Sequence, residues 1–220
     1  MVVLGKELPP SLKTFMDSHQ EGVVLAAFGS GLKSTKMKPE LKQLLMNAFK
    51  RSSVPIIWKW DGDDQAEMPE NVMIKKWLPQ NDLLAHPNLK ALVFHGGLLS
   101  LQEALYHGVP VVGIPMGWDQ LNNMLRAEKN GYGISLPNNL WYNSLTEDGL
   151  VDAITKAFSD ESMRTSVKRM QKLFLDRGTT GQSPMERAIG AVDYALGGEG
   201  ITNALFLMGY TSKTMTIRCM

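Results

Sequence analysis

The chain has 220 residues, of which 44% are hydrophobic and 20% charged. This is globular composition, and it excludes wholesale disorder and a membrane bundle. Lys plus Arg is 23 and Asp plus Glu is 22, so a net charge of +1 gives no electrostatic case for nucleic acid or an anionic membrane surface. One cysteine, Cys219, excludes an intrachain disulfide and a cysteine-based zinc cage.

The segment Met1 to Pro10 has too short an apolar run for a signal peptide, and no stretch reaches the ~20 apolar residues that span a bilayer. As written, the chain is expected to be soluble. It has neither internal repeats nor low-complexity segments.

Short apolar runs alternate with amphipathic stretches. Gly22 to Phe28 reads as a strand buried on both faces. Pro39 to Ser52 reads as a helix, with Leu41, Leu44, Leu45, Ala48 and Phe49 along one stripe. Strands follow at Pro55 to Trp58 and Val72 to Lys75. A helical turn at Asp82 to His86 precedes a strand at Ala91 to Phe94. Helix Leu98 to His107 ends at Gly108, a residue suited to the left-handed cap. A strand at Val109 to Ile114, a helix at Gln120 to Asn130 stopped by Gly131, and a strand at Gly133 to Leu136 complete the alternation. The remainder is helical: one helix capped by Thr146, one at Glu161 to Leu175, and one opened by the capping box Ser183-Pro184-Met185-Glu186.

This order predicts βαβ units, hence an α/β, doubly wound, Rossmann-like parallel sheet with a helical C-terminal extension. The expected organisation is a linker over residues 1–20, a ligand-binding domain over 21–196 and an atypical tail over 197–220. Ligands in such folds bind outside the carboxyl ends of the strands, so the loops there carry the chemistry.

The first loop, Gly29-Ser30-Gly31-Leu32-Lys33-Ser34-Thr35, fails two familiar patterns. A P-loop needs glycine directly before lysine, and Leu32 intervenes. A dinucleotide fingerprint needs a third glycine, where this chain has Ser34. An NAD-binding Rossmann domain is therefore the weaker alternative. His95-Gly96-Gly97 stands between a strand and a helix whose free amides form an anion site, with Ser100 and Glu103 further along that helix. Pro115-Met116-Gly117-Trp118-Asp119-Gln120 ends in a pair that suits either helix capping or sugar hydroxyls. Trp77, followed by Leu78-Pro79-Gln80, suits either a core aromatic or a stacking platform for a base.

Taken together, Trp77 to Gln120 resembles the donor-binding box of the UDP-glycosyltransferase family. Trp77, Pro79 and Gln80 match its opening, His95, Gly97, Ser100 and Glu103 its centre, Gly108-Val109-Pro110 and Pro115 its fifth strand, and Asp119-Gln120 its close. Phe28-Gly29-Ser30 resembles the family's first-strand loop, and Asp176-Arg177 with Ser183 to Ala188 its closing helix. The wording resembles the animal branch, glucuronosyl- and glucosyltransferases.

The resemblance implies the C-terminal half of a GT-B fold and inverting hexosyl transfer, glucose or glucuronic acid, from a UDP-sugar to a small lipophilic acceptor. It implies that Trp77 stacks on uracil with Gln80 assisting, and that Glu103 holds the ribose. His95, Ser100, Ser30 and the amides near Gly97 hold the diphosphate, and Asp119 and Gln120 hold the transferred sugar. No metal and no cofactor are implied, the UDP-sugar being a co-substrate. The implied compartment is the lumenal side of the endoplasmic reticulum membrane.

Members of this family are two-domain proteins about twice this length, with the catalytic base in an N-terminal half that this sequence lacks. No catalytic residue is therefore expected in this chain, which is expected to bind UDP or a UDP-sugar without turnover unless that half, or a family partner subunit, supplies the base. Phe94 stands where a small hydroxyl residue is usual and Trp118 where glycine is common, both expected to reshape the sugar pocket. Gly178 to Gln182 resembles an insertion.

Overall fold

Strand β1, Val23–Ala27, is buried along its whole length, as an uninterrupted apolar run requires. In the computed structural model, residues 6–29, 37–62, 68–137, 144–175 and 190 are described. In chain order the elements are α1 (Pro10–Ser18), β1, α2 (Pro39–Ser52), β2 (Ile56–Lys59), β3 (Val72–Lys75), α3 (Gln80–Leu84), β4 (Leu89–Phe94), α4 (Leu98–His107), β5 (Val111–Gly113), α5 (Gln120–Lys129), β6 (Gly133–Ser135), α6 (Glu147–Ser159) and α7 (Glu161–Leu175). The chain divides into two units, Met1–Leu175 and Asp176–Met220, and this architecture is that of the first. Apart from Gly190, the helix expected from Ser183 and the tail over 197–220 lie outside the described residues.

The strands form one sheet in the order β3-β2-β1-β4-β5-β6, and every pairing is parallel. This is the Rossmann order, which reverses direction between β1 and β4.

Alternation along the strands builds two cores. Val24 and Ala26 of β1, Trp58 of β2 and Val93 of β4 face one side with Leu45 and Phe49 of α2 and Leu150 and Ile154 of α6. Val23, Leu25 and Ala27 of β1, Leu92 and Phe94 of β4 and Val111 of β5 face the other, with Leu12 and Met16 of α1, Leu101 of α4 and Met124 of α5. The sheet is thus covered on both faces, as doubly wound topology demands. Phe49 meets Trp58 edge-on at 5.1 Å, a contact worth about 0.5–1.5 kcal/mol beyond its burial.

Two expectations change. Residues 1–20 contain α1, which begins at Pro10 and inserts Leu12 and Met16 into the core. Phe94 is fully buried against that same core, so it packs the sheet instead of shaping a pocket. The cap at Thr146 is as expected: its Oγ1 accepts the Gly149 amide at 3.1 Å.

Candidate functional site

The loops after β1 and β4 leave the same edge of the sheet from neighbouring strands. Gly29, directly after Phe28, has φ +83, and a Cβ there would lie 2.9 Å from His95 Cε1. A Cβ on Gly97 would lie 2.5 Å from His95 Nε2. The imidazole therefore sits between two glycines, neither of which tolerates a side chain while the ring stays in place. Its Nδ1 is buried and has no hydrogen-bond partner among the described residues. Burial pushes the His95 pKa below the usual histidine range, and the nearby Asp119 charge pulls it back only in part.

Gly97 is the N-cap of α4 and offers no side-chain cap, and no acidic residue occupies the first turn. Leu98 and Leu99 are exposed, so this helix end opens to solvent. Uncapped amides, the positive end of the helix dipole and a half-buried imidazole converge where an anion is favoured.

One helical turn on, Gln80 of α3 bridges two residues of α4. Its Nε2 donates to Ser100 Oγ at 2.9 Å and to Glu103 Oε2 at 2.6 Å. A carboxylate has acceptor capacity beyond one such bond, so Glu103 can still take hydroxyl groups. Trp77, three residues before Gln80, is 70% exposed, which rules out the core-aromatic reading.

The third group lies after β5. Asn123 of α5 is buried, and its Nδ2 donates to the Gly96 carbonyl at 3.0 Å and to Asp119 Oδ2 at 2.8 Å. Asp119 occupies the N-cap position of α5 without bonding a helix amide, so it is not spent on capping. Gln120 is buried, and its Oε1 accepts the Met116 amide at 2.8 Å. Between them, Trp118 has φ +53 and is 90% exposed. A bulky residue in that conformation costs about 1–3 kcal/mol and persists only where its surroundings fix it. The fixing is visible on both sides: Gln120 closes the turn onto Met116, and the Gln120 amide donates to the Gly117 carbonyl at 3.2 Å.

The structure thus brings Gln80, Ser100 and Glu103 into one cluster and sets His95 against Gly97. Asp119 and Gln120 are placed on the adjoining loop, tied back to Gly96 through Asn123. Ser30 lies outside the described residues. Two participants escaped the sequence reading. Asn123 stands four residues after Asp119, the spacing that pairs side chains on a helix, and that signal was available. Lys59, whose Nζ donates to the Gly29 carbonyl at 3.3 Å, is brought there by strand pairing alone. Among the described residues no three His, Cys, Asp or Glu side chains are grouped to share a metal ion, and no helix is long and apolar enough to cross a membrane.

Residues 2–204 match the profile of the family described as UDP-glucoronosyl and UDP-glucosyl transferase. The chain belongs to this family. Among its curated members it is similar to UDP-glycosyltransferase UGT5 of Dactylopius coccus, 34% identical over 193 residues, or 88% of this chain and 35% of that one. It is 36% identical to the 2-hydroxyacylsphingosine 1-beta-galactosyltransferase of Rattus norvegicus over 194 residues, 88% of this chain and 34% of that one. It is 31% identical to UDP-glucuronosyltransferase 2B23 of Macaca fascicularis over 197 residues, 89% of this chain and 36% of that one. The chain therefore spans about a third of the length of these relatives. Its fold matches the crystal structure of Medicago truncatula UGT71G1 complexed with UDP-glucose, with a TM-score of 0.72 and 21% identity, over 86% of this chain and 44% of that one. The match to the Os79 protein of O. sativa has the same TM-score and identity, over 86% and 45%. The sheet is accordingly the corresponding half of a GT-B glycosyltransferase fold.

Proposed function

We propose that this chain is the donor-binding half of an inverting UDP-glycosyltransferase that transfers a hexosyl group to a small lipophilic acceptor. The observation that carries the reading is the cradle at the strand-order reversal, where His95 is clasped by Gly29 and Gly97 at the uncapped start of α4.

Each residue then has a task. Trp77 stacks on uracil, and its exposure leaves its face free to do so. Gln80 assists there and orients Glu103, which holds the ribose hydroxyls. The α4 amides near Gly97, with His95, Ser100 and Ser30, hold the diphosphate. Asp119 holds hydroxyls of the transferred sugar, and Gln120 contributes its amide nitrogen, its oxygen being engaged by Met116.

In the reaction the bond from the anomeric carbon to the diphosphate breaks, and its electron pair leaves with UDP. The acceptor oxygen bonds the opposite face of that carbon and gives up its proton to a base. The donor half stabilises the charge growing on the diphosphate with dipoles already in place. His95 serves there as a hydrogen-bond donor.

The base comes from outside this chain. His19, His86 and His107 stand just before β1, β4 and β5, at the amino ends of the strands and so at the opposite end of the sheet from the cradle, and His95 belongs to the cradle itself. Alone, the chain binds the donor and transfers nothing, because no nucleophile is held in place and proximity worth about 7–11 kcal/mol is missing. The place of action proposed is the lumenal face of the endoplasmic reticulum.

Titration calorimetry with UDP, and with NAD as control, tests the reading. Selective UDP binding supports the donor site. Equal binding of NAD, or binding of neither, refutes it, and sugar transfer to a phenolic acceptor by the purified chain refutes the assignment of the base elsewhere.

A further inference from the structure

The indole of Trp118 is 90% exposed, yet the backbone holds it in a conformation that bulky residues avoid. It stands at the tip of the turn from Pro115 to Gln120, beyond the carboxyl end of β5, with the Asp119 carboxylate anchored directly after it. The turn is tied on both sides, by the Gln120 side chain to the Met116 amide and by Asn123 to the Gly96 carbonyl, so the tip is a rigid mount. The turn carries one acid, Asp119, and no Lys, Arg or His.

We infer that Trp118 is a specificity-determining wall for the transferred sugar and selects a neutral hexose over a hexuronic acid. The inference rests on the donor-site reading above. A pyranose ring offers one face lined with C–H groups, which matches the electron-rich face of an indole. A hexuronate brings a carboxylate to the same place. That charge meets the negative face of the ring and the Asp119 carboxylate, and the turn has no cation to offset either. Hydroxyl groups of a neutral hexose instead donate to Asp119. Holding Trp118 at positive φ costs stability that a glycine would not, so an unused indole there is a pure loss, whereas a sugar contact offsets it.

The experiment titrates the 220-residue chain with UDP, UDP-glucose and UDP-glucuronate, as wild type, Trp118→Gly and Trp118→Phe. Glycine suits the backbone conformation, so that variant folds at least as well and melts no lower. The wild type is expected to bind UDP-glucose roughly fivefold or more tightly than UDP-glucuronate, the size of one aromatic contact. Trp118→Gly is expected to bring that ratio close to one while the Kd for UDP stays within about twofold, and Trp118→Phe to retain most of the preference. UDP binding with a donor ratio that Trp118→Gly leaves unchanged overturns this inference alone, and points to a wall facing another part of the enzyme. Absence of UDP binding by the wild type overturns the donor-site reading and this inference with it.

Discussion

Asn123 holds Asp119 and Gly96 with one nitrogen, at 2.8 Å from the carboxylate and 3.0 Å from the carbonyl. The carboxylate that follows β5 and the glycine loop that follows β4 are therefore set by a single buried amide. Asn123→Ala leaves the buried Gly96 carbonyl without that donor, at a cost of about 1–3 kcal/mol. Asp119 is exposed, so water replaces most of its loss. Urea denaturation should show the drop in stability. A midpoint equal to that of the wild type would mean that the amide ties nothing together.

Gly97→Ala puts a methyl group where the His95 ring now lies. The glycine has an ordinary extended conformation, so the backbone accepts alanine and the collision alone matters. The ring must move, and UDP affinity should fall about tenfold or more, the size of one lost charge-assisted hydrogen bond. Circular dichroism should show the fold retained. Unchanged affinity would mean that the ring does not serve the cradle.

Trp77→Ala separates binding from stability. The indole is 70% exposed, so its removal should leave the melting temperature nearly unchanged. Base stacking is worth about 1–3 kcal/mol, so the Kd for UDP should rise between roughly fivefold and a hundredfold. Glu103→Ala should weaken UDP as well, through the ribose. If both variants bind UDP as the wild type does, the base and ribose sites lie elsewhere.

Acid should destabilise the chain before its carboxylates titrate. Burial lowers the pKa of His95 and of His107 below the ordinary value near 6.5. Between each folded value and 6.5 the unfolded chain binds the extra proton, so stability rises with pH there. The contribution is complete above 6.5 and is lost as pH falls through the folded values. Denaturation midpoints between pH 8 and pH 5 should therefore decline on the acid side, and His95→Asn with His107→Asn should flatten the decline. A slope that survives in the double variant would assign it to other groups.

The sheet was readable because its strands are buried on both faces and leave unbroken apolar runs, as at Val23 to Ala27. Helix α1 was not. Pro9 and Pro10 look like a stop, while proline at the first turn starts this helix, and its two core residues, Leu12 and Met16, are too few to mark a stripe. The site divides in the same way. Trp77, His95 and Asp119 stand in loops after β3, β4 and β5, where the topology directs attention, while Gln80 opens α3 and Ser100 and Glu103 lie along α4. Gln120 reads the same in sequence, and only the structure turns its oxygen inward to Met116. Lys59 reaches the Gly29 carbonyl because β2 lies beside β1, a fact of pairing that no local pattern carries.

The pairing of β1 with β4 has a further effect, on how the protein comes into being. Val24 lies beside Ala91, so the two floor strands of the cradle meet only across a sequence separation of 67, 91 − 24. Closing so long a loop must precede any reward from the contacts, which makes assembly of this sheet slow. The cradle of Gly29, His95 and Gly97 has no early, partial form. A chain emerging during synthesis carries Gly29 long before it carries His95, and must keep the bare edge of β1 from pairing wrongly until β4 arrives.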